Sequence, residues 1–207
     1  MKIGLYFGTF NPIHIGHLII ANHMAEHSEL EQIWLVVTPH NPHKEKNTLL
    51  DDYQRLHLAH LATEEYPKIK PSDIEFKLPQ PNYTVNTLAY LKEKFPQHEF
   101  SLIMGEDNLK SLHKWKNYEY ILENHAIYIY PRFSNKTETS LRNAETSSRD
   151  TETSSVLTHP RIHKIDAPIV EISSTFIRNS IKSKKNIRPL LSEKVWEYID
   201  HNNFYKK

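Results

Sequence analysis

Apolar residues along this chain recur on two different periods. Four short runs rich in β-branched and aromatic residues, Ile3–Phe7, Ile33–Val37, Phe100–Met104 and Ala126–Tyr130, read as buried strands. Helical spacing covers Ile15–Glu26, Asp51–Glu65, Val85–Phe95, Asn108–Leu112 and Tyr118–Leu122. A weaker strand around Ile74–Phe76 fits the gap between the second and third helices. Strands that alternate with helices in this way imply parallel βαβ units. The expected fold class is therefore α/β and Rossmann-like: a sheet of about five parallel strands with helices on both faces. Ligands of such sheets gather beyond the carboxyl ends of the strands, and the first strand ends at Gly8.

The interval from Ser134 to His159 breaks this pattern. It carries six serines, six threonines and near-copies of one phrase (TETS at Thr137, AETSSRD at Ala144, TETSS at Thr151). Its four apolar residues are too few to offset the cost of ordering the chain, so a mobile insertion is expected, with a lid or an oligomer contact as the alternative. Order resumes at His163–Ile165 and Ile169–Glu171, read as short strand, and a C-terminal helical segment follows at Thr175–Ser183 and Ser192–Asn202. The 207 residues thus read as a single domain, long enough to bury a sizeable core.

Composition excludes more than it suggests. With 26 basic and 25 acidic residues the formal charge is +1, which gives no general attraction to nucleic acid or membrane; any basic site must be local. The absence of cysteine removes disulfides, thiolate chemistry and Cys-based zinc sites, and suits a cytoplasmic protein. The apolar runs from Leu18 and from Ile33 are too short to cross a bilayer or to act as a signal segment, so a soluble, unprocessed chain is expected. The oligomeric state leaves no mark in the sequence.

Candidate chemistry concentrates in GTFNPIHIGH, Gly8–His17. Three of the four glycines, Gly8, Gly16 and Gly105, stand beside candidate site residues, which suggests close approach of backbone to a ligand. The backbone N–H groups of Gly8, Thr9 and Phe10, followed by a helix N-terminus, offer donors and a positive dipole end to an anion. His14 and His17 flank that helix start, where imidazole N–H groups can donate to phosphate oxygens. Gly16 between them removes a side chain that would block a nucleotide, and Pro12 stiffens the entry turn. An ordinary turn with incidental histidines is one alternative. A metal site joined by His23 and His27 is another, but carboxylate or thiolate company is missing and no metal ligand is assigned.

A second segment, ISSTFIR over Ile172–Arg178, places Ser173, Ser174 and Thr175 at the start of an apolar-periodic helix. Capping accounts for a serine there. It does not account for Arg178, because a cation near a helix N-terminus opposes the dipole unless an anion lies close.

The pattern G-x-F-x-P-x-H-x-G-H after the first strand, with I-S-S-T-x-I-R late in the chain, resembles the nucleotidyltransferases of the H-x-G-H superfamily. Within it, nearly the whole chain apart from the insertion is similar to the bacterial nicotinate mononucleotide adenylyltransferases. Asn41-Pro42-His43-Lys44 resembles that family's P-P-H-K loop, with Asn41 in place of the first proline. Asn82-Tyr83-Thr84 with Thr87-Leu88 resembles its S-Y-T-x-x-T-L segment, and Gly105-Glu106-Asp107 with Trp115 its G-x-D and tryptophan region. The resemblance implies adenylyl transfer from ATP to nicotinate mononucleotide, with magnesium bound mainly through the ATP phosphates. It implies catalytic roles for His14, His17, Lys44 and Arg178. ATP would be held by Gly8, Thr9, Phe10, Gly16, Gly105, Ile172, Ser173, Ser174, Thr175 and Arg178, and the mononucleotide by Asn41, His43, Lys44, Tyr83, Thr84, Asp107 and Trp115. Phosphopantetheine adenylyltransferase, glycerol-phosphate cytidylyltransferase and a nucleotide-binding regulatory module without turnover are the competing readings.

Overall fold

The apolar runs form the interior of a parallel sheet. A computed structural model describes residues 1–39, 49–132 and 158–206. The strands are β1 (Lys2–Gly8), β2 (Gln32–Val37), β3 (Ile69–Ser72), β4 (Glu99–Gly105), β5 (Ile127–Tyr130) and β6 (Ile162–Lys164). They lie in the order β3-β2-β1-β4-β5-β6, with every neighbouring pair parallel. This is the doubly wound order, which reverses between β1 and β4 and opens a crevice at their carboxyl ends.

Helices α1 (Ile15–His27), α2 (Asp52–Thr63), α6 (Ser174–Lys182) and α7 (Glu193–His201) cover one face of the sheet. Helices α3 (Thr84–Lys94), α4 (Glu106–Leu109) and α5 (Tyr118–Asn124) cover the other. Because both faces are covered, the inner strands are mostly apolar, yet successive side chains still divide between two cores. Ile3 and Leu5 of β1 join the α3–α5 side while Tyr6 joins the other; in β2, Ile33, Leu35 and Val37 oppose Val36.

Six strands replace the expected five or so. β6, paired through Ile127 and Ile162, supplies the additional edge. The strand expected at Ile74–Phe76 is instead a 3-10 turn, Ile74–Lys77, and β3 lies just before it with Ile33 opposite Ile69. Lys70 and Pro71 disguise β3; proline is tolerated there because β3 is an edge strand with ladder bonds on one side only. The helix expected over Asn108–Leu112 divides into α4 and a 3-10 turn at Leu112–Lys114, each delivering one leucine to the core. Ile169–Glu171 joins no strand and brings Val170 against Gly16 at the start of α1.

Candidate active site

A cleft of about 220 Å3 opens where β1 and β4 end. Gly8, Thr9 and Phe10 line it from the loop after β1, His14, Gly16 and His17 from the start of α1, and Ile172, Ser173 and Ser174 from the approach to α6. Two helix N-termini therefore face one space, and each leaves its first N–H groups without intrahelical partners. At α6 the cap is Ser173, whose hydroxyl accepts from the Phe176 N–H at 3.1 Å. Both positive dipole ends favour an anion between them.

The two histidines are held as a unit. Their rings stack with centroids 3.7 Å apart, and the edges of Phe10 and Tyr6 meet His17 at 5.0 and 6.2 Å. The His14 backbone N–H donates to His17 Nδ1 at 3.3 Å. That bond assigns the acceptor role to Nδ1, so in the neutral ring the proton sits on Nε2 and is available as a donor. Burial lowers the His14 pKa to about 4, with the Arg132 cation adding to the effect. Burial first, then His14 and Arg132, hold His17 well below the ordinary histidine range. Both rings are neutral at pH 7 and offer N–H donors rather than charge. Positive charge at the cleft comes from Arg132.

These shifts fix a pH dependence of stability. Between about pH 6.5 and pH 4 the unfolded chain binds protons at positions 14 and 17 that the folded chain refuses, so stability falls as pH falls. His125, buried with its Nδ1 2.8 Å from the Phe100 carbonyl and its pKa lowered mainly by burial, acts in the same sense. For His14 alone the expected loss from pH 7 to pH 5 is about 2 kcal/mol. Denaturant titrations at the two pH values check it; equal unfolding free energies would contradict the buried neutral state.

The loop between β1 and α1 is gripped by side chains distant in sequence. Arg55 of α2, with no exposed side-chain surface, donates to the carbonyls of Thr9, Thr38 (2.9 Å) and Leu50 (3.1 Å) and pairs with Asp52. The Ser174 hydroxyl donates to the Pro12 carbonyl at 2.9 Å, and Arg178 donates to the Asn11 carbonyl at 2.7 Å and to the Thr175 hydroxyl at 3.2 Å. Arg178 thus has protein acceptors, and an anion is not needed to explain it; three of its five N–H donors remain. The grip holds Phe10 at φ 45°, a left-handed conformation that costs a bulky residue about 1–3 kcal/mol.

Three of the glycines make room for neighbouring side chains, and Gly8 and Gly16 also line the cleft. A Cβ at Gly8 would lie 2.9 Å from the Phe10 ring, one at Gly16 3.0 Å from both His14 Nδ1 and Val170, and one at Gly105 2.5 Å from Asp107 Oδ1. Each omission lets a neighbouring side chain take its place at the site.

Other expected residues lie around the cleft rather than in its lining. Asp107, just past β4, forms an ion pair with Arg132 at 3.2 Å. Tyr83 caps α3, exposed, with the Lys116 ammonium 4.6 Å from its ring centroid; Thr84 is the first residue of that helix. Trp115 packs, partly buried, on the α3–α5 core. Asn41, His43 and Lys44 lie outside the described residues, as does nearly all of the expected insertion at 134–159. Sequence reasoning missed Arg55, Arg132 and the buried Tyr6–Tyr130 hydroxyl pair, 3.1 Å apart. Arg132 had a signal, standing two residues beyond β5 where ligand groups of such sheets gather.

Residues 5–180 match the cytidylyltransferase-like family model. The chain is 72% identical to the "Probable nicotinate-nucleotide adenylyltransferase" of Flavobacterium psychrophilum and 73% identical to the protein of the same name from Flavobacterium johnsoniae, in each case over the whole of both chains. Among solved structures, Plasmodium falciparum nicotinic acid mononucleotide adenylyltransferase complexed with NaAD superposes with a TM-score of 0.76 at 20% identity, covering 99% of this chain and 97% of that one.

Proposed function

The chain belongs to the nicotinate-nucleotide adenylyltransferase family, and from that premise we propose that it transfers the adenylyl group of ATP to nicotinate mononucleotide, giving deamido-NAD and pyrophosphate. The observation that carries this reading is the convergence of two helix N-termini and two neutral imidazoles on one cleft at the sheet's switch point. Such a site supplies donors for phosphate oxygens and no buried base. None is required: a phosphate monoester, with its second pKa near 6, is already largely ionised at pH 7. Catalysis then rests on alignment and on stabilising charge as it moves.

In this mechanism the mononucleotide phosphate oxygen attacks the ATP α-phosphorus in line, and the bond to the bridging oxygen of pyrophosphate breaks. His17 Nε2–H and His14 donate to the α-phosphate; Lys44, outside the described residues, is assigned to the reacting phosphates by the resemblance alone. The start of α6 with Ser174, Thr175 and the remaining donors of Arg178 holds the departing pyrophosphate. The cleft is rich in donors and poor in carboxylates, and among the described residues no three His, Asp or Glu side chains gather as a metal site. Magnesium suits this arrangement only as an ion carried by the ATP phosphates, where it would neutralise their charge. Among the described residues no helix is long and apolar enough to cross a membrane, and the lack of cysteine suits a cytoplasmic setting. We take the chain as one nucleotidyltransferase domain carrying an insertion at 134–159.

Thr84 and the backbone donors at the start of α3, with Tyr83 and Trp115 as aromatic surfaces, would receive the nicotinate ring and its carboxylate, while Asp107 would take ribose hydroxyls. Donors aimed at a carboxylate favour the acid over the amide. Pyrophosphate release is therefore expected with nicotinate mononucleotide at a kcat/KM about 100-fold or more above that with nicotinamide mononucleotide. Release with phosphopantetheine or glycerol phosphate instead would keep the phosphate site and overturn the acceptor; no release with any acceptor would leave a regulatory nucleotide-binding module.

A further inference from the structure

Taking adenylyl transfer as the activity, we infer that Tyr205 is a positioning residue of the site: its hydroxyl fixes the Asn11 side chain and, through it, the backbone of the phosphate loop. The hydroxyl donates to Asn11 Oδ1 at 2.6 Å across 194 residues of sequence, and the Leu50 N–H donates to the same oxygen at 3.2 Å. A carboxamide oxygen has two lone pairs, so these two donors define its direction. Asn11 is 3% exposed, and its own carbonyl is the acceptor for Arg178. The residue is thus held at both main chain and side chain, one position after the left-handed Phe10.

The consequence for phosphate binding follows from peptide geometry. In a planar trans peptide the N–H points opposite to the C=O. Since the Thr9 carbonyl turns onto the buried guanidinium of Arg55, the Phe10 N–H in the same peptide is turned away from Arg55, on a residue that lines the cleft. That orientation survives only while the loop resists relaxing from its left-handed turn. Tyr205 itself sits at φ 63°, and Asn203, two residues before it, at 56°. A tyrosine adopts that backbone only where its surroundings hold it, and the contact it reaches by doing so is Asn11. Burial pushes the hydroxyl's pKa well above its ordinary value, against the pull of Arg178 and Arg55, so it stays a proton donor at any physiological pH.

Tyr205→Phe in the full chain removes the hydroxyl and leaves the ring. At saturating ATP and nicotinate mononucleotide, well below the melting transition, kcat for pyrophosphate release is expected to fall about tenfold with both KM values within about twofold. Amide exchange at Leu50, whose N–H shares the Asn11 acceptor, is expected to quicken about tenfold, while Leu102 and Ile103 in β4 keep their protection. Lys206→Ala, whose ammonium bonds to Asp200 and Asn203, keeps wild-type kcat. A Tyr205→Phe kcat within twofold of wild type would overturn the positioning role, whatever the change in melting temperature. Were wild type itself to release no pyrophosphate, adenylyl transfer would be the reading that failed. Leu50 exchange would still decide the tie to Asn11, unchanged exchange counting against it.

Discussion

His17→Ala is expected to lower kcat for pyrophosphate release by about 10²–10³-fold, the 2.7–4 kcal/mol typical of removing one donor to a developing oxyanion. His17 is singled out because its Nδ1 accepts from the His14 backbone, which leaves Nε2–H as a donor with fixed direction, while Phe10, Tyr6 and His14 close on the ring from three sides. Folding should survive the change, since the ring's hydrogen bond is a local one, from the backbone N–H three residues before it. Single-turnover measurements under saturating ATP separate the chemical step from binding. A decrease smaller than tenfold would remove His17 from the transition state.

The second large effect is on stability. Arg55→Met is expected to cost about 3–5 kcal/mol in denaturant unfolding, because the carbonyls of Thr9, Thr38 and Leu50 lose their charged donor in a place water does not reach. Asp52→Asn, by contrast, should cost about 1 kcal/mol or less, since that carboxylate is 30% exposed and can be hydrated. Equal effects of the two variants would mean that the ion pair, not the set of carbonyl contacts, carries the stability.

Interior strands were readable because burial on both faces turns them into unbroken apolar runs, and β1, β2, β4 and β5 follow those runs to within a residue or two. β3 was not, because an edge strand can carry Lys70 and Pro71 and still pair. The glycine-histidine segment announced a site through residue types alone, and the structure gathers Gly8, His14, Gly16, His17 and Ser173–Ser174 around one cleft. What residue types could not show is that the missing glycine side chains also admit Phe10, His14 and Asp107. Arg55 was invisible, since a helix arginine reads as solvent-facing until two loops, those after β1 and after β2, are found to end on it. Tyr205 was hidden for a related reason: a contact spanning almost the whole chain leaves no local pattern.

The loop after β1 is closed by partners that arrive late. Ser174, Arg178 and Tyr205 reach it from 162, 167 and 194 residues further along. At roughly 5–20 residues per second of synthesis, Asn11 precedes Tyr205 on the ribosome by about 10 to 40 seconds. During that interval the nascent chain can assemble β1, β2 and β4, whose pairing needs only earlier residues, but it cannot lock the phosphate loop. ATP therefore has no finished site to stabilise before Tyr205 has been made, and protection of the polypeptide by its nucleotide begins only after that residue.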